Sequence, residues 1–375
     1  MTETGTASVS GAKVPVPARA GRTNCFDFLR LFAAATVVVS HGLEHLQTPF
    51  LWAERWWFRD GVALFFVMSG MLVYRSCARC VETGRPLRQY FMNRFLRVAP
   101  GIYLYSIVTP LFLIAIGALS VHALFGRDML AWFAGNLALV PVVHPHALRG
   151  IGVGVINGSL WTIPAEVSFY LVCPILAWID RRIGRRALLA AVVGLAVTGT
   201  LLRWGIETYA EDAAISKVLM LTFLPYFLFF GLGILFSLYW QRLPQSLPIA
   251  LVCGAIYLAI RYDIGGARAV VPMPIWRIVW GVPMAYAFVY LGYYGPKILI
   301  TIPQKIGDLS YGVYVWHMVV INVFLYFGVR ERLAGAFPSA PITALLGVTF
   351  ALALASWWTV ERTALKLKPF STRAG

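Results

Sequence analysis

Residues 30–41 read RLFAAATVVVSH, and this stretch decides the fold. It is an apolar run with an ionisable side chain at each end, Arg30 and His41. As a helix rising about 1.5 Å per residue, it holds those groups roughly 16 Å apart, about half of a hydrocarbon core. An ionisable group in lipid is costly and needs a reason to be there. A cation near one face and a deeply set imidazole suit a ligand bound by its charged end and changed chemically at its far end.

The same apolar character recurs outward along the chain. Of 375 residues, 59% are hydrophobic and only 13% charged, and the mean hydropathy of +0.72 lies far outside the range of soluble domains. Apolar runs near 20 residues recur from Phe26 to Val360, which predicts an all-α, polytopic membrane protein. The segments are 26–46, 60–76, 99–119, 159–179, 187–204, 217–240, 248–262, 276–294, 309–328 and 341–360. Residues 1–24 are polar and rich in Gly, Thr, Pro and Ala, and are expected to be a disordered tail rather than a cleaved signal peptide. Residues 25–362 then form one transmembrane domain and 363–375 a basic tail.

A net charge of +16 raises the question of nucleic acid, but its placement excludes it. The basic residues cluster in short connections between apolar spans, the positive-inside pattern of a membrane protein. A short apolar stretch at 129–143 bears on the count. If it crossed, the cluster of Arg181, Arg182, Arg185 and Arg186 would lie outside, against that pattern. If it stays in the interface or re-enters, those arginines are cytoplasmic. So are Arg75, Arg79, Arg85, Arg88, Arg94, Arg97, Lys366, Lys368 and Arg373, while Glu207, Glu211 and Asp212 fall outside. About ten spans with both termini cytoplasmic, in the inner cell membrane, is the consistent expectation.

Arg94 and Arg97 stand three apart at the end of the loop after the second span, just before Pro100. Two such residues share a helical face, and guanidinium forks suit phosphate oxygens. Anchoring to anionic lipid is the plainer role. With Arg30 entering from the same side, a phosphate-bearing cytosolic ligand is favoured. Cys77 and Cys80 form a CxxC, but no second pair completes a metal site, and they are expected to be ordinary loop cysteines. His144 and His146 are expected in an outer loop without enough neighbours for a metal.

Five segments in order resemble the acyltransferase-3 family of integral membrane acyltransferases. Asp27 to Arg30, then His41, resembles its opening motif of a basic residue, ten residues and a histidine. GVALFFVMSGMLV at 61–73, with Ser69 and Gly70, resembles its second-helix segment. Arg94 and Arg97 match its RxxR pair. SLWTIPAEVSFY at 159–170, holding Trp161 and Glu166, and LSYGVYVWH at 309–317, holding Tyr311 and His317, resemble two further motifs. Phe28 stands where family members often have Gly, and Val167 where Trp is usual. Pro164 is expected to kink its helix. Some members carry an appended extracytoplasmic domain, whereas this chain stops near the last span, so it is expected to complete transfer alone or hand its acyl group to a partner.

The resemblance implies transfer of an acyl group, with acetyl favoured, from cytosolic acyl-coenzyme A to a hydroxyl, often on an extracytoplasmic carbohydrate. No permanently bound cofactor and no metal are implied. Arg30, Arg94 and Arg97 are the candidates for the phosphorylated head of coenzyme A, whose long arm could cross the roughly 16 Å to His41. A neutral imidazole there could deprotonate the acceptor hydroxyl, or attack the thioester to give an acyl-imidazole. Glu166 is the second catalytic candidate, able to orient an imidazole or bind sugar hydroxyls. Asp27, Ser69, Trp161, Tyr311 and His317 are candidates for acceptor binding or for structure. For Ser69 and Gly70, close helix packing is the favoured role.

Two rivals come from other classes. A transporter would also have many spans and intramembrane charges, but it usually shows repeated halves, and none are visible. His41, Glu44 and His45 fit the H-x-x-E-H spacing of a zinc peptidase, but Gly42 weakens that helix and no third ligand is evident.

Overall fold

The computed structural model of the protein describes residues 24–48, 60–261, 263, 266, 272–333 and 335–368. The expected N-terminal tail, apart from Asn24, and the end of the basic tail with Arg373 lie outside these residues. The described residues are helical, without strands. In chain order the helices are α1 (Phe26–Leu46), α2 (Gly61–Glu82), α3 (Leu87–Ala115), α4 (Arg127–Leu137), α5 (Thr162–Arg182), α6 (Arg185–Tyr209), α7 (Ala214–Leu219) and α8 (Phe227–Tyr239). They continue with α9 (Leu247–Arg261), α10 (Met273–Tyr294), α11 (Lys297–Ile306), α12 (Ser310–Tyr326), α13 (Val329–Leu333), α14 (Ala340–Ser356) and α15 (Arg362–Lys366).

Among the described residues, eight helical segments are long and apolar enough to cross a membrane, or nine if α11 and α12 count as one span bent by 69°. The shorter apolar helix α9 accounts for the tenth apolar segment of the sequence. The stretch at 129–143 holds only the 11-residue α4, about 16 Å of helix, too short to cross. Leu111, Leu171, Ile175, Val193 and Val197 are more than half exposed, as side chains facing lipid would be.

Three expectations are corrected by the helix boundaries. Arg94 and Arg97 do not lie in a loop, because α3 begins at Leu87 and carries both on its early turns. Cys77 and Cys80 likewise sit buried in the last turns of α2, with free thiols. Pro164 does not kink its helix. A 3₁₀ turn (Gly158–Trp161) precedes α5, so Pro164 falls in the first turn, where a missing N–H costs little.

Small residues and breaks set how the helices meet. The backbone of Gly70 rests on the Phe230 carbonyl, and that of Gly233 on the Val67 carbonyl, so α2 and α8 cross at a distance no Cβ would permit. Gly184, with φ of 118°, lets the chain reverse between α5 and α6. At that turn Arg181 donates to the Val81 carbonyl, and Asp180 takes hydrogen bonds from Tyr74 and Arg185. The Arg181–Arg186 cluster therefore shares one end of the bundle with the end of α2. That parity requires α3 and α5 to be the only crossings between them.

Helix α12 is buried along nearly its whole length and packs between α1 and α14. Gly307, with φ of 94°, allows the break before it, where a side chain would collide with the Trp357 indole. Asp308 lies in this break, at the positive end of α12.

Candidate active site

Eleven residues are close to three helical turns, so Arg30 and His41 point from the same face of α1. That face lies against α12, and the two helices run parallel. At one end Arg30 Nη1 is 3.3 Å from Asp308 Oδ2. At the other, His41 Nδ1 is 2.8 Å from His317 Nε2. Tyr311, Tyr314 and His317 follow at intervals of three along α12, and Asp308 stands three residues before Tyr311, in the break.

Between these ends lies a cavity in two adjoining compartments that share Arg30, Phe65, Ser69, Arg97 and Glu166. The charged compartment adds Arg94, Tyr170, Asp308, Trp357 and Lys368. The inner one is more apolar and continues to Thr162, Ser310, Tyr311 and Tyr314. Its two tyrosines are held by backbone carbonyls. Tyr311 donates to the Val98 carbonyl at 2.6 Å and Tyr314 to the Ser159 carbonyl at 2.6 Å.

The charge balance of the outer compartment favours an anion. Its lining carries Arg30, Arg94, Arg97 and Lys368 against Asp308 and Glu166, a surplus of two positive charges among the lining residues when both carboxylates are ionised, with Asp27 paired to Arg30 outside that lining. Asp308 is already committed. It pairs with Arg97 at 2.7 Å and Arg30 at 3.3 Å, and accepts from the Ser310 hydroxyl at 2.6 Å. Glu166 accepts from Tyr170. The Arg94 Nε is buried with no hydrogen-bond partner among the described residues. Burial and the guanidinium groups of Arg97, Arg94 and Arg30 push the Lys368 ammonium down to about 8.

The other candidates divide. Ser69 lines both compartments, while its neighbour Gly70 makes the close helix contact. Asp27 is mostly exposed and pairs with Arg30 at 3.4 Å. Trp161 packs on Tyr226, centroids 5.0 Å apart, and does not line the cavity. Glu166 lies among the arginines, bonded to Tyr170 and not to either imidazole. His41 does not line the cavity either. The lining ends at Tyr314, whose ring centroid is 5.8 Å from that of His317, and His317 in turn contacts His41. His45 stacks on His41 at 6.0 Å. Among the described residues, no group of three His, Cys, Asp or Glu side chains is gathered as metal ligands would be.

Asp308, Tyr314 and Lys368 were not singled out from sequence. The three-residue spacing that runs from Asp308 to His317 was the available signal for the first two. Lys368 carried none beyond its positive charge.

The architecture is that of a multi-pass membrane protein with a cationic cavity that ends at Tyr314, next to a paired imidazole. The chain belongs to the acyltransferase-3 family, whose model, described as an acyltransferase domain, matches residues 23–361. It is an acyltransferase. It is 31% identical over 368 residues to nodulation protein 10 of Rhizobium leguminosarum bv. viciae, covering 93% of this chain and 95% of that one. The peptidoglycan O-acetyltransferase OatA of Listeria monocytogenes is 24% identical over 324 residues, covering 79% of this chain; the match spans only 49% of OatA. The exopolysaccharide production protein ExoZ of Rhizobium meliloti is 25% identical over 318 residues, covering 82% and 89% of the two chains. No solved structure matches the chain significantly. Family membership sets aside the transporter and zinc-peptidase rivals.

Proposed function

We propose that this enzyme moves an acyl group, with acetyl favoured, from cytosolic acyl-coenzyme A to a hydroxyl of an extracytoplasmic carbohydrate. The observation that carries the donor assignment is the surplus of positive charge at one end of a cavity that leads toward the His317–His41 pair. The phosphates of coenzyme A would sit among Arg94, Lys368, Arg97 and Arg30. Its apolar arm would follow the Tyr311 and Tyr314 stripe, and the thioester would pass Tyr314 to reach the imidazoles. His41 then serves as base or acyl carrier. The relatives' names, which refer to peptidoglycan and exopolysaccharide, support a surface carbohydrate or its lipid-linked precursor as acceptor.

On this proposal the arginine-rich end faces the cytoplasm of an inner membrane and both termini lie inside, as the positive-inside pattern favours.

The test is acetyl-coenzyme A consumption by purified protein, with and without the His41→Ala substitution. Loss of a general base or nucleophile is expected to lower turnover by about 10²-fold or more, with His45→Ala and Glu44→Ala milder. Wild-type turnover by a folded His41→Ala protein would remove His41 from the chemistry. Mass spectrometry of surface glycans from a deletion strain, beside its parent, identifies the acceptor by the loss of one acyl unit.

A further inference from the structure

We propose that His317 is a positioning residue for His41, holding it in the one neutral tautomer whose Nε2 carries a free lone pair. The inference rests on His41 being the reacting group of the proposed transfer. Its warrant is a chain of two hydrogen bonds. His317 Nδ1 lies 2.7 Å from the Tyr314 carbonyl oxygen. A carbonyl oxygen only accepts, so Nδ1 of His317 carries the hydrogen, and Nε2 of the neutral ring is an acceptor. That Nε2 lies 2.8 Å from His41 Nδ1, a contact with room for one hydrogen. His41 Nδ1 must therefore donate. The remaining nitrogen, Nε2, is left unprotonated, as a base or nucleophile requires.

His317 is itself firmly placed. Its side chain is fully buried, and its ring lies parallel to that of His41, with 2° between planes. Tyr314, whose carbonyl it holds, is fixed by its hydroxyl to Thr162 Oγ1 at 2.7 Å and to the Ser159 carbonyl. Orientation thus passes from the start of α5, through Tyr314 and His317, to His41. A leucine at 317 would leave His41 free to take the other tautomer, whose Nε2–H can accept nothing.

In direct transfer, the acceptor hydroxyl gives its proton to His41 Nε2 as its oxygen attacks the thioester carbonyl. The C–O bond forms, the C–S bond breaks, and the proton leaves Nε2 for the departing sulfur, giving an ester and free coenzyme A. While His41 is an imidazolium, its Nδ1–H stays bonded to the His317 Nε2 lone pair.

The experiment compares His317→Leu, His317→Gln and His41→Ala in purified protein with acetyl-coenzyme A, alongside ¹⁵N histidine NMR. The NMR signal of His41, assigned by its loss in His41→Ala, reports which ring nitrogen is protonated. His317→Leu is expected to lower kcat by about 10²- to 10⁴-fold and to leave the donor KM within about twofold. It is also expected to shift His41 away from the Nδ1–H form. In His317→Gln the amide oxygen can still accept from His41 Nδ1–H, so kcat should fall no more than about tenfold, with the tautomer kept. If the leucine variant misfolds, the glutamine variant decides alone. A glutamine variant with kcat lowered 10²-fold or more would mean that the His317 ring itself takes part, overturning the positioning role. So would a leucine variant with wild-type kcat while His41→Ala is inactive. An active His41→Ala would instead defeat the transfer mechanism on which the inference rests.

Discussion

Arg97 meets Asp308 at 2.7 Å, in the break between α11 and α12. The arginine comes from α3 and the carboxylate from a segment more than 200 residues later, and both side chains are largely buried. Asp308 also reaches Arg30 of α1, so one carboxylate ties together three parts of the bundle. The arginines of the cavity are therefore not equivalent. Arg30 and Arg97 are partly neutralised by Asp308, whereas Arg94 keeps a buried Nε without a hydrogen-bond partner among the described residues.

Removing Asp308 should expose this difference. Taking one member from a buried ion pair typically costs about 3–5 kcal/mol, because the other charge is left uncompensated. Asp308→Asn is expected to lower the thermal unfolding temperature clearly. Coenzyme A should then restore more stability to the variant than it adds to wild type, since its phosphates replace the missing charge. Equal ligand shifts in the two proteins would separate the donor from this cluster.

Lys368 gives the donor site a pH dependence. Its ammonium is held down to about 8, first by burial and then by Arg97, Arg94 and Arg30, with Asp308 acting in the opposite sense. Below that value it is charged and attracts phosphate; as pH rises through about 8 it becomes neutral and the attraction is lost. The KM for acetyl-coenzyme A is therefore expected to rise between pH 7 and pH 9. Lys368→Arg, which stays charged throughout, should flatten that rise. An unchanged profile in the arginine variant would place Lys368 outside the donor site.

Topology can be tested without activity. Cysteines introduced near Glu211 and Arg149 should be labelled from outside intact cells, and those near Arg85, Arg185 and Lys366 should not. Arg181 touches the Val81 carbonyl, so sites near Arg85 and Arg185 must behave alike. External labelling at both would invert the proposed orientation.

The apolar segments were legible in sequence because lipid leaves a spanning helix few alternatives to a long apolar run. The early turns of α3 were not, since charged amphipathic turns outside the hydrocarbon look like loop. The helix α11 and its 69° bend were hidden in the same way, behind Pro303 and Lys305. Within the cavity, Arg30 and Glu166 stood out because each interrupts an apolar run, which demands a reason. Asp308 and Lys368 lie at the edges of such runs, where a charge needs no explanation. The pairing of His41 with His317 joins positions 276 residues apart, and only the packing of α1 on α12 brings them together.

The most direct test of the donor site is the binding of coenzyme A to purified wild-type, Arg94→Ala and His41→Ala proteins, measured by calorimetry. A charge-assisted contact to phosphate is worth about 1.5–3 kcal/mol, so Arg94→Ala should weaken binding roughly ten- to a hundredfold. Arg94→Lys should recover part of that loss, and a dephosphorylated analogue should bind weakly to all. His41→Ala should bind coenzyme A as wild type does, because it acts at the far end. If Arg94→Ala also binds it as tightly as wild type, the cationic cavity is not the donor site.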